Sequence, residues 1–129
     1  MNETELRSKS DQEINLLAAE VMGWPIQNHP QPEIPLPKII NEREQLTLLS
    51  EGPGGHPVIS FWNPIDDACE AINLAEHVAN LSNHGYLSTG RARKIWSVVF
   101  AGYLVEDEVF AKALTLASLL AFHSLEGEK

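Results

Sequence analysis

The sequence predicts an α+β fold, a small antiparallel or mixed sheet covered by about three helices in an α-β-α layered sandwich. Three observations predict it. Helical apolar spacing runs from Ile14 to Val21 and again from Ala68 to Leu81. Between and after these lie short runs rich in β-branched and aromatic residues, Val58 to Trp62 and Ile95 to Phe100. A last stretch, Val109 to His123, is apolar or small at nearly every position, as in a helix buried on more than one side.

The elements follow in order. Residues 1–9 are polar and charged and are expected to be disordered. Ser10-Asp11-Gln12-Glu13 has the form of a capping box, with Ser10 bonding the Glu13 N–H and Glu13 reaching back. Ile14, Leu17, Ala18 and Val21 continue a helix of about three turns. Met22-Gly23-Trp24-Pro25 ends it: Gly23 takes the left-handed position, Trp24 folds back, and Pro25 forbids continuation. Residues 25–37 hold five of the eight prolines and predict an extended connection, neither helix nor central strand. Lys38 to Leu49 suits a short helix or a strand. Gly52-Pro53-Gly54-Gly55 is a turn; it lacks the Gly-Lys-Ser/Thr ending of a phosphate loop.

Asn63 and Pro64 start the second helix as cap and first residue, with Asp66 and Asp67 at its positive end. Its apolar side is expected to use Ala68, Ile72, Ala75 and Ala79, with Ala71, Val78 and Leu81 widening it, and its polar side Asp66, Glu70, Asn73, His77 and Asn80. Cys69 reads as a buried spacer. Tyr86 to Leu104 is a strand or hairpin region, and Glu106-Asp107-Glu108 opens the last helix. The result is one α+β domain over residues 10–125.

The 129 residues, 43% hydrophobic and 21% charged, suit one globular domain. One cysteine excludes an internal disulfide, and the polar N-terminus has no apolar core of a secretion signal. The expectation is a cytoplasmic chain with no membrane segment. A net charge of −9 argues against direct nucleic-acid binding.

Three stretches together resemble the phage ABA sandwich domain family: Ala18 to Trp24 (AAEVMGW), Phe61 to Val78 (FWNPIDDACEAINLAEHV) and Ala111 to Phe122 (AKALTLASLLAF). The likeness covers about a third of the chain by residue and most of it by order of segments. Ile95-Trp96-Ser97-Val98 is similar to that family's Trp-bearing strand. The proline-rich segment and the Arg91-Arg93-Lys94 cluster depart from its pattern. The resemblance implies a phage accessory protein working in the host-cell cytoplasm. It implies an inhibitor of a host defence system, acting by blocking a defence protein or by sequestering its signalling molecule. It carries no catalytic residues.

Among candidate sites, Asp66, Glu70 and His77 share a predicted helix face, but Glu70 and His77 stand two turns apart, about 11 Å along the axis, too far for one ion. No metal or cofactor is expected, and no nucleophile–base pair emerges. Trp24, Trp62 and Trp96 are core or core-rim residues, with stacking on a flat ligand as the functional alternative. The remaining cluster is Arg91, Arg93 and Lys94, one third of the nine Lys and Arg residues. In an extended strand Arg91 and Arg93 share a face. With Trp96 or Tyr86 they form a candidate site for an anionic nucleotide. Their alternatives are pairing with Glu106 or Glu108, or guarding a sheet edge. The expected function is non-enzymatic binding, of an anionic nucleotide signal or of a basic host protein at the acidic surface, with homo-oligomerisation through the last helix. A small hydrolase, a nucleotide-modifying enzyme and a phage structural component are the alternatives.

Overall fold

The computed structural model describes residues 1–27, 36–42, 45–82 and 86–127. The fold is α+β, with two small sheets where one was expected. Among the described residues four helices form, α1 (Glu3–Arg7), α2 (Asp11–Met22), α3 (Ala68–Ser82) and α4 (Phe110–Gly127). The first sheet contains β1 (Ile26–Gln27), β2 (Lys38–Glu42), β3 (Gln45–Glu51) and β4 (Pro57–Phe61), in that spatial order. β2, β3 and β4 are antiparallel, and β1 adds two parallel residues. The second sheet is the meander β5 (Leu87–Ala92), β6 (Ile95–Phe100) and β7 (Tyr103–Asp107).

The N-terminus corrects the expectation of disorder. Asn2 caps α1 by accepting from the Glu5 N–H at 2.8 Å, and Leu6 is fully buried in the core. Arg7 then donates to the Asp107 carboxylate at 2.8 Å and to the Glu106 carbonyl at 2.6 Å. One apolar anchor and one long-range pair are enough to fix a polar segment.

α2 begins and ends as its sequence predicts. The Glu13 N–H donates to Ser10 Oγ at 3.2 Å and the Ser10 N–H to Glu13 Oε1 at 3.5 Å. Gly23 has φ of +79°, and the Trp24 N–H reaches back to the Ala19 carbonyl at 3.2 Å. The ambiguous stretch after the prolines is strand: β2 and β3 form a hairpin. Of the proline-rich connection, residues 28–35 lie outside the described residues. Its start adds β1 at the sheet edge, where the Pro25 carbonyl accepts from the Ile39 N–H at 2.9 Å. The Leu36–Pro37 bond is cis.

α3 starts later than Asn63–Pro64 suggests. Residues 63–67 form a turn in which the Asp67 N–H bonds the Asn63 carbonyl at 2.9 Å. Asp67 then accepts from the Cys69 and Glu70 N–H groups at 2.9 and 3.2 Å. The buried stripe of α3 is Ala71, Leu74, Ala75 and Val78, so Ala68 and Ile72 face outward. Cys69 stands about 200° around the helix from Ala71 and is exposed, not buried. His77 leaves the supposed polar site: its Nε2 lies 3.0 Å from the Val21 carbonyl at the end of α2. The sequence Ser82-Asn83-His84-Gly85 reads as the close of this helix; of it, Asn83, His84 and Gly85 lie outside the described residues.

α4 is the centre of the core. Ala111 and every residue from Ala113 to Ala121 are buried. It packs on α3 and on the inner face of the second sheet, where Val98, Phe100 and Val105 meet it. Of the two settings its all-round apolar character suggests, packing between a sheet and another element or an oligomer interface, the first is present within one chain. Among the described residues no helix is long and apolar enough to cross a membrane.

Candidate functional site

The predicted anion site does not assemble as an extended strand would have it. Ala92 pairs with Ile95, so Arg93 and Lys94 are the two-residue turn of the β5–β6 hairpin. Arg93 has φ of +60°, a position that favours glycine or asparagine. The alternation that would align Arg91 with Arg93 therefore stops at Ala92. Tyr86 lies at the other end of β5, where its carbonyl accepts from Ala101 N–H, about 16 Å along the strand from Arg91. Arg91 and Trp96 do meet. They are cross-strand partners, with the guanidinium carbon 5.5 Å from the ring centroid, and Trp96 rests on Phe110 at 5.2 Å. Among the described residues no carboxylate pairs with Arg91, Arg93 or Lys94. Glu106 instead accepts from Ser97 Oγ. The three cations stand exposed on a hairpin tip.

A cleft lies elsewhere, between the start of α2, the start of β3, the end of β4 and the turn at 63–67. It has a volume of about 440 Å³ and is open on one side. Its floor is built from Asn15, which is 7% exposed. Asn15 Nδ2 donates to Asn63 Oδ1 at 2.9 Å, and Asn15 Oδ1 accepts from the Ile65 N–H at 3.3 Å. The Asn15 backbone carbonyl accepts from Trp62 Nε1 at 2.9 Å. Trp62 is buried and meets Trp24 edge to face at 4.7 Å. This aromatic pair joins the end of α2 to the end of β4 and holds the back of the cleft.

Acidic groups form the rim. Asp11 and Asp66 both line the cleft and are exposed, and no basic side chain is among its lining residues. Asp66 accepts from Asn63 Nδ2 at 3.3 Å; Lys112 approaches Asp11 only to 4.0 Å. Behind them Glu70 accepts from the Asn63 N–H at 2.6 Å. Partial burial pushes the Glu70 carboxyl above its ordinary value; the Asn63 N–H works against this and Asp67 adds to it. Phe61, 62% exposed, supplies an aromatic wall, and Gln12 and Gln45 supply amides. The arrangement can take a cation: two carboxylates attract it, amides bond its N–H groups, and a ring face covers it. Among the described residues no three His, Cys, Asp or Glu side chains are gathered as a metal site.

Sequence reasoning missed this cleft. Its signal was Asn15, a polar residue one turn from Ala18 and Ala19 on the buried side of an amphipathic helix. The partners at 62–66 are not adjacent to it in sequence, and only the fold brings them together. No known family model matches the chain, and no curated protein or solved structure is similar to it.

Proposed function

We propose that the protein is a non-enzymatic binding module that takes a basic side chain of a partner protein into the cleft of Asp11, Asp66 and Phe61. The observation that carries this is the lining itself: two exposed carboxylates and an exposed aromatic ring around a preformed polar floor, with no cation among them. Chain charge supports it, since a net −9 draws a basic partner from a distance. On the resemblance to the phage family, that partner would be a host defence protein, inhibited by occupation of its basic surface.

Titration of the isotopically labelled protein with arginine- and lysine-bearing peptides tests the proposal. Backbone and Trp62 indole signals around the cleft are expected to move, and Asp66→Asn is expected to weaken binding by about tenfold or more, the worth of one charge-assisted bond. The affinity should fall as salt is raised. Shifts confined to residues away from 11–15 and 61–66 would overturn it.

A second reading is favoured by one observation, the lack of a carboxylate partner for Arg91, Arg93 and Lys94 among the described residues. Here the hairpin tip takes the anionic part of a nucleotide, with Arg91 held in place by the Trp96 ring. Thermal unfolding against cyclic mono- and dinucleotides distinguishes the two readings. A stabilisation abolished by the Arg91→Ala, Arg93→Ala double variant and untouched by Asp66→Asn would favour the hairpin.

A further inference from the structure

The two sheets have four edges, and three are protected. β1 is only two residues long. β5 carries Arg91 and runs into Arg93 and Lys94. β7 is covered by Arg7, which donates to its Glu106 carbonyl and pairs with Asp107. Short length, charge and cover are the usual means of keeping an edge from pairing. Among the described residues β4 has neither charge nor cover along its five residues, and its one guard is Pro57 at the first position. No charged residue occurs from Gly52 to Ile65, and Ile59 and Phe61 stand 64% and 62% exposed.

The backbone of β4 has a definite polarity. The Trp62 N–H donates to the Leu46 carbonyl at 2.9 Å and the Gly52 N–H to the His56 carbonyl at 2.7 Å. Even-numbered residues therefore turn their backbone groups to β3. The N–H and C=O of Ile59 and Phe61, and the C=O of Pro57, point out from the sheet. Pro57 has no N–H, so the one donor missing from the outer row is missing at the start of the strand.

We propose that β4 pairs with β4 of a second copy of this chain, antiparallel and centred on Ile59. A two-fold axis there places Ile59 opposite its own copy, and the two exchange both backbone bonds. Phe61 N–H of each chain meets the Pro57 carbonyl of the other. Two bonds from the Ile59 pair and two from the Phe61–Pro57 pairs give four, and the arrangement is self-complementary, as a two-fold contact requires. Side chains directly opposite share a face, so Phe61 lies on Pro57 of the second copy and Ile59 on Ile59, covering the exposed apolar surface. Charge selects the same surface. Two chains of net −9 repel each other, and the strip from Gly52 to Ile65 contributes no charge of its own where they meet.

The pairing and the cleft share Phe61, and salt separates the two: screening strengthens the approach of like-charged copies and weakens capture of a basic partner. Light scattering and sedimentation of the intact chain are expected to give a mass that rises with concentration towards two chains of 14.3 kDa. Ile59→Lys is expected to hold the mass at one chain with an unchanged circular dichroism spectrum. Register is read in a Cys69→Ser background. Ile59→Cys is expected to form an interchain disulfide, since directly opposed Cα atoms lie about 5.5 Å apart, within disulfide reach. Phe61→Cys is expected not to link to itself. A mass of one chain at the highest soluble concentration overturns the proposal, as does faster linking of Phe61→Cys than of Ile59→Cys. A chain that stays single while taking up a foreign extended peptide on β4 would also overturn it.

Discussion

Asn15 ties α2 to the chain segment that follows β4 through three hydrogen bonds, two from its side chain and one from its carbonyl. Asn15→Ala would keep the helix and strand the Ile65 N–H and Asn63 Oδ1. The expected cost is about 2–4 kcal/mol in urea unfolding, because buried polar groups would be left unpaired. Gly23→Ala is a cleaner case: nothing lies within 4 Å of the added Cβ, so only the +79° φ resists it. About 1 kcal/mol is expected. Glu70 gives a pH dependence of definite sign. Its folded pKa is raised above the ordinary 4.5, so its contribution is present below that value and lost as pH rises through the folded one. Glu70→Gln keeps an acceptor for the Asn63 N–H. It is expected to be more stable than the parent at neutral pH and to show a flatter stability profile from acid to neutral.

At the scale of elements, α1 shows what local composition conceals. Its residues are polar, and nothing in their spacing predicts that Leu6 reaches the core or that Arg7 meets Asp107, a hundred residues away. Burial pushes the Asp107 carboxyl up, but the hydrogen bonds from Arg7 and the Val109 N–H and the Arg7 charge prevail, and its pKa is lowered. That contribution holds above the unfolded aspartate value and is lost as pH falls through the folded one. Protection from hydrogen exchange at Leu6 and Ser8, relative to the unfolded amides, is therefore expected to fall in acid before the rest of the chain opens. Asp107→Asn should show the lowered protection at all pH values, at a cost below about 1 kcal/mol for a partly exposed pair. By contrast α2 was legible to the residue, because its capping box and left-handed Gly23 are local devices. The start of α3 was not: Asn63 and Asp67 are both good caps, and the bonds to Asn15 and Glu70 that fix Asn63 in a turn come from tertiary structure. The hairpin tip was misread for a related reason. Arg93 carries no turn signature, so a tight turn at 93–94 was invisible and Arg91 and Arg93 were placed on one face.

For the whole molecule, the α+β class follows from helical apolar spacing together with the short β-branched and aromatic runs, whereas the division into two sheets does not. Strand pairing depends on which hairpins close, and Tyr86 to Leu104 and Lys38 to Leu49 each closed with its own neighbours. Among the described residues the second sheet packs on α4, the first sheet meets α2 through β3, and α2 and α4 touch each other. Leu116→Ala, at a fully buried position, is expected to cost about 2–5 kcal/mol, a large share of the 5–15 kcal/mol typical of a domain. Fluorescence-monitored unfolding would measure it.

The central place of α4 also has a consequence for synthesis. The ribosome makes this helix after the other described elements, so the apolar faces that α4 covers emerge first and wait for it. Until Ala111 to Ala121 leave the exit tunnel, the nascent chain presents Leu74, Val78, Val98 and Phe100 with no cover from α4. Stalled chains in which Glu108 is followed by an unstructured linker long enough to fill the tunnel are expected to recruit holding chaperones, and chains with the same linker placed after α4 to release them.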